Sequence, residues 1–315
     1  MKKALVTGAA GFIGSHLCER LLDDEWAVVG VDNFDDFYDP QIKRRNIASC
    51  LKNKNFQLVE ADIRDSVAMN KTISDGVEII VHLAARAGVR PSIAQPLLYA
   101  DVNVNGTMVL LEAAKKHKIG KFIFGSSSSV YGNNEKVPFS EGDNVDFPIS
   151  PYAATKKAGE LICHTYYDLY DISITCLRFF TVYGPRQRPD LAIHKFAKLI
   201  EQGKPILVYG DGTMMRDFTY IDDIIDGTVA AMQKCSDFNI YNLGESRPIA
   251  VNDLVTEIEK ALGKKAIKKY LPLQPGDVER TYADVTKAVN ELGYNPSTTI
   301  QTGLEKFVTW LRQNS

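Results

Sequence analysis

The 315-residue chain is poor in the features that mark several protein classes. Its five cysteines, Cys18, Cys50, Cys163, Cys176 and Cys235, are odd in number and none lies in a C-x-x-C pair. A disulfide framework and a zinc knuckle are therefore not expected, and reduced thiols fit a cytoplasmic location. The five histidines, His16, His82, His117, His164 and His194, never fall at metal-ligand spacing, so no metal is expected. No apolar run approaches the roughly 20 residues of a membrane span. The apolar stretch after Met1 meets glycine at Gly8, too soon for a signal peptide. Charge of one sign is missing too. Lys plus Arg is 37 against 39 Asp plus Glu, which offers nucleic acid no electrostatic footing. Asn105-Gly106-Thr107 matches a glycosylation acceptor, but without an export signal it reads as chance.

What remains is ordinary globular composition, 45% apolar and 24% charged. At about 150 residues per domain the length suggests two units. β-rich runs at 4–7, 27–32, 56–62, 79–84, 121–126 and 174–179 alternate with helical patterns, the clearest at 12–22, 96–118 and 151–170. Such alternation predicts an α/β, doubly wound parallel sheet covered on both faces, with ligands beyond the carboxyl ends of its strands. After residue 180 the chain is broken by Gly184-Pro185, Gly203, Gly210-Asp211-Gly212 and Pro275-Gly276, with helices expected at 192–202, 221–234, 251–262 and 299–312. This divides the chain into units at 1–180 and 181–315, with a return to the first around 215–235. No linker is long enough to separate them, so they are expected to form two walls of one cleft.

Thr7-Gly8-Ala9-Ala10-Gly11-Phe12-Ile13-Gly14-Ser15 follows the first strand and opens a helix. Glycines at 8, 11 and 14 permit a tight turn, close approach of a pyrophosphate, and close packing of helix on strand. The N–H groups at the helix start then face the phosphates. The spacing alone also fits an ordinary glycine-rich turn. Asp32 narrows the choice, because it ends the second strand where a carboxylate binds a ribose diol and repels a 2′-phosphate. NAD is therefore expected rather than NADP. Asp62, before Ile63, is either an acceptor for the adenine amino group or a helix N-cap.

In Ser150-Pro151-Tyr152-Ala153-Ala154-Thr155-Lys156, serine suits an N-cap and proline the first helical position. Tyr152 and Lys156 are four apart and share a helix face. A phenol with pKa near 10 is a poor base at neutral pH. A nearby ammonium, helped by a positive nicotinamide ring, favours the phenolate. The fifth strand runs into Gly125-Ser126-Ser127-Ser128-Ser129, whose hydroxyls can relay a proton and hold a substrate oxygen. A Y-x-x-x-K is common by chance, but chance explains it poorly downstream of a glycine turn and a serine-tipped strand.

The ordered motifs TGAAGFIG (7–14), HLAA (82–85), SSSSVYG (126–132), YAATK (152–156), LRFFTVYGP (177–185) and RDFTYIDD (216–223) resemble the extended short-chain dehydrogenase/reductase family, within it the nucleotide-sugar epimerases and dehydratases. The likeness runs over essentially the whole chain. It implies a Rossmann domain that holds NAD and a smaller α/β domain that binds a UDP-sugar. Ser127 falls on the family's catalytic Ser/Thr, Tyr152 on its base, Lys156 on its lysine, and Asn103 on the asparagine that organises the site. The candidate cofactor contacts are Gly8, Gly11, Phe12, Ile13, Gly14, Asp32, Asn33, Asp62, Ile63, Leu83, Ala84, Ala85, Asn103 and Ser126, with Tyr152 and Lys156.

The dehydratases of that family usually carry an Asp-Glu pair where this chain has Ser128 and Ser129, and the UDP-glucuronate decarboxylases a Glu at the second position. Without those acids, oxidation and re-reduction at one carbon remain, which is 4-epimerisation through a transient 4-keto sugar. Segments 32–40, 86–92 and 181–190 resemble UDP-glucuronate 4-epimerases. Thr181 and Arg188 suit a sugar carboxylate, with Ser128 beside them, since a guanidinium can engage carboxylate bidentately. The plainer role of Arg86, Arg90, Arg186 and Arg188 is solvated loop charge or diphosphate contact. Gly88 and Arg90 mark a substrate loop. By the resemblance, Arg216 and Phe218 grip diphosphate and uridine, and Asp277 the nucleotide ribose. Gln274 departs from the arginine common there, so Arg216 or Arg280 is left for the diphosphate. The alternatives are a UDP-glucose or UDP-N-acetylglucosamine 4-epimerase, a net dehydrogenase or reductase, and a non-catalytic NAD-binding regulator, the last disfavoured by retention of Ser127, Tyr152 and Lys156. The resemblance also implies a homodimer through the helices at 96–118 and 151–170, whose apolar residues otherwise read as burial against the sheet.

Overall fold

The computed structural model describes residues 1–73, 76–273, 276 and 278–314. Aliphatic runs form β1 (Lys3–Thr7), β2 (Ala27–Asp32), β3 (Phe56–Glu60), β4 (Ile79–His82), β5 (Lys121–Ser127) and β6 (Ser173–Phe179). Between them run α1 (Phe12–Asp23), α2 (Pro40–Asn46), α3 (Ser66–Thr72), α4 (Val89–Ala94), α5 (Pro96–Ala100), α6 (Gly106–Lys116) and α7 (Pro151–Tyr170). Then follow β7 (Thr181–Tyr183), α8 (Ala192–Glu201), β8 (Ile206–Tyr209), β9 (Met215–Arg216), β10 (Phe218–Tyr220), α9 (Ile221–Gln233) and β11 (Phe238–Leu243). The chain closes with β12 (Ile249–Ala250), α10 (Val251–Leu262), β13 (Lys268–Leu271), α11 (Thr286–Leu292) and α12 (Ile300–Gln313).

Seven strands make one parallel sheet in the order β11-β6-β5-β4-β1-β2-β3. From β1 the chain winds outward through β2 and β3, then crosses to the other side through β4. The order therefore reverses between β1 and β4, and a crevice opens beyond their carboxyl ends. Alternation along β1 divides the apolar surface. Ala4 and Val6 join one core with α1 and α9, and Leu5 joins the other with Met69, Leu110 and Cys163. The first core continues unbroken into the second unit through Val182, Tyr183, Phe196, Leu254 and Phe307. There β7 pairs with β10, β9 with β12 and β8 with β13, as three two-stranded sheets. Of the span 215–235 expected to return to the first unit, α9 fills the greater part, and the strand that rejoins the sheet is β11, paired with β6.

Two expectations need correction. The helix expected at 96–118 is three segments, α5, a five-residue π turn Asp101–Asn105, and α6. The Thr107 hydroxyl takes the Asn103 carbonyl at 2.6 Å, and the Asn103 amide turns inward onto Arg86 and Thr155. A one-residue widening of this kind leaves no mark in apolar periodicity. Strands β3 and β4 end two residues before the expected positions, which frees Asp62, Leu83 and Ala84 to line the crevice.

Behind the crevice lies a buried ion pair. Arg178 of β6 meets Glu160 of α7 through Nε (2.9 Å) and a terminal nitrogen (2.8 Å), with side chains 1% and 2% exposed. The Ser126 hydroxyl donates to the same carboxylate at 2.6 Å, and the second guanidinium arm donates to the Tyr131 hydroxyl at 3.0 Å. Helix α7 reaches this depth because residue 159 is glycine, where a Cβ would stand 2.3 Å from the Phe124 ring. Glu160→Ala should destabilise the protein by about 3–5 kcal/mol, because it leaves a buried guanidinium without its counter-charge. Urea unfolding at neutral pH measures this, and a loss below about 1 kcal/mol would contradict a buried, fully paired carboxylate.

Candidate active site

The strand ends and the facing second unit enclose a cavity of about 520 Å³. At one end is the glycine turn. Gly8 has φ +69°, the Gly11 amide donates to the Gly8 carbonyl at 3.0 Å, and a Cβ on Gly14 would lie 2.1 Å from that carbonyl oxygen. Close packing of α1 on the turn thus requires Gly14, and the turn presents backbone to the cavity. The Asp32 carboxylate lines the same region and accepts from the Ala10 and Phe34 amides at 3.0 and 2.9 Å. Burial pushes its pKa up, and the Lys43 ammonium opposes the rise. An aspartate held there beside a glycine turn fits a ribose and a pyrophosphate, and its carboxylate disfavours a 2′-phosphate.

Asp62 also lines the cavity, but Arg64 engages both its oxygens (2.8 and 2.9 Å) and Asn33 donates to it at 3.1 Å. These bonds hold its pKa down to about 2. The N-cap alternative falls to Asp65, which accepts from Ala68 at 2.9 Å and starts α3.

At the cavity's centre stand Tyr152, Ser127 and Lys156. Ser150 caps α7 by accepting from the Ala153 amide at 3.2 Å, and Pro151 occupies its first turn. Tyr152 is therefore set rigidly at the helix start. Its pKa is pushed up by burial and drawn down by its hydrogen bond with Ser127 and by the Arg188 guanidinium. Lys156 projects one turn further on, where its ammonium donates to the Gly125 carbonyl at 2.6 Å and burial lowers its pKa to about 8. The Arg188 guanidinium is thus a positive charge acting on this phenol besides Lys156, the cation expected from the sequence. Ser127 accepts from the Ser129 amide and donates to the Ser129 hydroxyl, both at 3.1 Å.

The opposite wall carries Ser128, Thr181, Arg188 and Arg216, with Gly88 at the rim. Arg188 is bound bidentately by Asp190 at 2.9 and 2.7 Å and lies 5.3 Å from the centre of the Phe37 ring. Three candidates fall elsewhere. Arg90, on the outer side of α4, stacks 4.4 Å from the Tyr209 ring centre and does not line the cavity. Phe218 is core, 6% exposed and edge-on to Tyr183, because β10 pairs with β7 and turns that side chain inward. Arg280, the alternative to Arg216, is exposed and outside the lining. Asp277 and Gln274 lie outside the described residues.

Asn103 acts from behind the lining, where it is 3% exposed. It accepts from the Arg86 amide (2.8 Å) and donates to the Arg86 carbonyl and the Thr155 hydroxyl (both 3.0 Å). His82 ties this region to the glycine turn. The Thr107 proton is committed to Asn103, so His82 Nε2–H donates to Thr107 (3.0 Å) and Nδ1 accepts from Thr7 (2.8 Å). Sequence reasoning missed Lys43, Phe37 and Tyr38, which line the cavity from the loop and helix after β2. Their legible signals were the resemblance of segment 32–40, which gave Phe37 and Tyr38 no role of their own, and the Asp39-Pro40 start of α2.

A doubly wound sheet with a glycine turn and a Ser–Tyr–Lys centre facing a second unit defines a nucleotide-dependent enzyme of the dehydrogenase/reductase type. Residues 5–307 match the family model described as GDP-mannose 4,6 dehydratase, and the chain belongs to that family. It is 44% identical to the UDP-glucuronate 4-epimerase of Thermodesulfobacterium geofontis, over 98% of this chain and 96% of that one. Its fold superposes with a TM-score of 0.94 on the UDP-glucuronic acid 4-epimerase of Bacillus cereus, solved with UDP-glucuronic acid and NAD (42% identity, 99% and 100% coverage). The UDP-glucose 4-epimerase of Thermotoga maritima follows at 0.91, 34% identity and 99% coverage of both chains.

Burial holds the His82 pKa at about 3, against 6.5 for a free imidazole. Below about pH 6.5 the unfolded chain therefore takes up a proton that the folded protein refuses until near pH 3. Stability is complete above that window and falls through it as pH drops. Between pH 7 and pH 5 this one residue should account for about 2 kcal/mol of lost stability. His82→Gln should show a correspondingly smaller fall in urea midpoint between those pH values, and an unchanged fall would refute the assignment.

Proposed function

We propose that this protein is an NAD-dependent isomerase, a 4-epimerase of UDP-sugars, and that UDP-glucuronate, giving UDP-galacturonate, is its substrate. The observation that carries the reading is a cavity holding Tyr152 and Ser127 with no carboxylic acid at positions 128 and 129. Such a site can remove and return one proton, but lacks the extra acid and base that elimination requires. The match in fold to the Bacillus cereus enzyme, which was solved with UDP-glucuronic acid and NAD, supports the same substrate and cofactor.

The glycine turn (Gly8, Gly11, Phe12, Ile13, Gly14) receives the pyrophosphate. Asp32 and Asn33 take the adenosine ribose, Asp62 and Ile63 flank the adenine, and Leu83, Ala84, Ala85 and Ser126 line the nicotinamide end. When bound, NAD accepts a hydride from sugar carbon 4 and returns it. Tyr152 removes the proton of the 4-hydroxyl, directly or through Ser127, and gives it back after the sugar has turned about its diphosphate link. Arg216 faces that diphosphate. Ser128, Thr181 and Arg188 hold the carboxylate, and must keep it out of line with the transient carbonyl, since a β-keto acid readily loses carbon dioxide.

Two finer statements belong with this reading. The outward faces of α5, α6 and α7 expose Leu97, Met108, Leu161 and Leu169, an apolar surface suited to a homodimer. All five cysteines are free and buried, which suits a reducing cytoplasm.

NMR of the sugar protons tests the reaction. UDP-glucuronate should be converted to its 4-epimer much faster than UDP-glucose, with no change in bulk absorbance at 340 nm. Tyr152→Phe should lower kcat by about 10²–10⁴-fold. Thr181→Ala and Arg188→Ala should each cost UDP-glucuronate more than UDP-glucose. Unaltered uronate turnover in both variants would show that the carboxylate is held elsewhere.

A further inference from the structure

Tyr99 of α5 has no side-chain surface exposed, does not line the cavity, and yet touches two working parts of it. Its hydroxyl donates to the Ala87 carbonyl at 2.8 Å. Burial pushes this phenol up to about 12, so it keeps its proton at any working pH and acts as a fixed donor. Ala87 precedes Gly88, whose φ of +106° turns the loop into α4, and both residues line the cavity. The Tyr99 ring meets the Tyr152 ring edge-on, with centres 6.3 Å apart and planes at 85°. One turn along, Asn103 clasps the backbone of Arg86 and the Thr155 hydroxyl. The loop at 86–88 is therefore pinned by two side chains from consecutive segments, α5 and the π turn, and of the two it is Tyr99 whose ring meets the Tyr152 ring.

We propose that Tyr99 is a positioning residue with two separable duties. Its hydroxyl fixes the sugar-facing loop at Ala87, and its ring sets the orientation of Tyr152. The proposal rests on the epimerase reading for its kinetic part but not for its structural part. Removing the hydroxyl leaves the Ala87 carbonyl without its partner and frees the loop, while the ring still bears on Tyr152. Removing the ring releases both.

The test uses the full-length, NAD-loaded protein and two variants. Tyr99→Phe should raise KM for UDP-glucuronate about fivefold to tenfold, the loss of one buried hydrogen bond, with kcat and its pH profile unchanged. Tyr99→Leu should raise KM equally, lower kcat about tenfold, and shift the pH midpoint of kcat, which a merely structural role would not move. Hydrogen exchange at residues 86–89 should be faster in both variants than in the parent, and it reads the loop even if no UDP-sugar is turned over. Parental KM and parental exchange in Tyr99→Phe would overturn the hydroxyl's duty. A kcat profile identical in the two variants would overturn the ring's. If the parent itself epimerises no UDP-sugar, the functional reading fails, and exchange alone decides whether Tyr99 holds the loop.

Discussion

The ion pair between Arg178 and Glu160 is the constraint on which the catalytic geometry rests. Two charges taken out of water are unfavourable unless their hydrogen bonds are met. The Glu160 carboxylate takes Nε and one terminal nitrogen of Arg178 together with the Ser126 hydroxyl, and the other terminal nitrogen reaches Tyr131. Each partner comes from a different element: β6, α7, the tip of β5 and the turn beyond it. Satisfying this one ion pair therefore sets four elements to within a hydrogen bond's tolerance. Ser127 follows Ser126 directly, and Lys156 stands one helical turn before Glu160. A network of this kind has one good arrangement and few near alternatives, because any slip leaves a buried polar group unpaired.

Electrostatics inside the cleft is local. The near-zero net charge of the chain supplies no field to gather an anion, whereas the cavity wall itself carries Lys43, Arg64, Arg86, Lys156, Arg188 and Arg216. Arg188 is already matched by Asp190 and stacked on Phe37, which fixes its guanidinium before any ligand arrives. The same charge bears on the Tyr152 phenol. One fixed guanidinium thus both faces the cavity and acts on the Tyr152 phenol.

Much of this was legible in the chain. The glycine turn, the strand-end Asp32 and the Ser150-Pro151 helix start each follow from a local rule, and the order of apolar runs specified the doubly wound sheet. The π turn at 101–105 was not legible, because it answers to the long-range pull of Asn103 on Arg86 and Thr155. Arg90 and Phe218 were assigned by motif position, but the direction a side chain takes depends on strand pairing and on which side of α4 faces out. The contribution of Arg188 to Tyr152 was hidden for the same reason. Positions 36 residues apart in sequence carry no sign of proximity, whereas the i, i+4 spacing of Tyr152 and Lys156 is visible in the chain itself.

One consequence follows from the apolar core that runs without interruption from Ala4 and Val6 to Leu254 and Phe307. A close-packed interior resists shear, so the floor shared by the two walls has no waist at which to bend. Opening the cleft like a book would have to shear that floor. The rim is built differently, since the segments at 33–39 and 85–95 are held there by polar bonds and ring contacts.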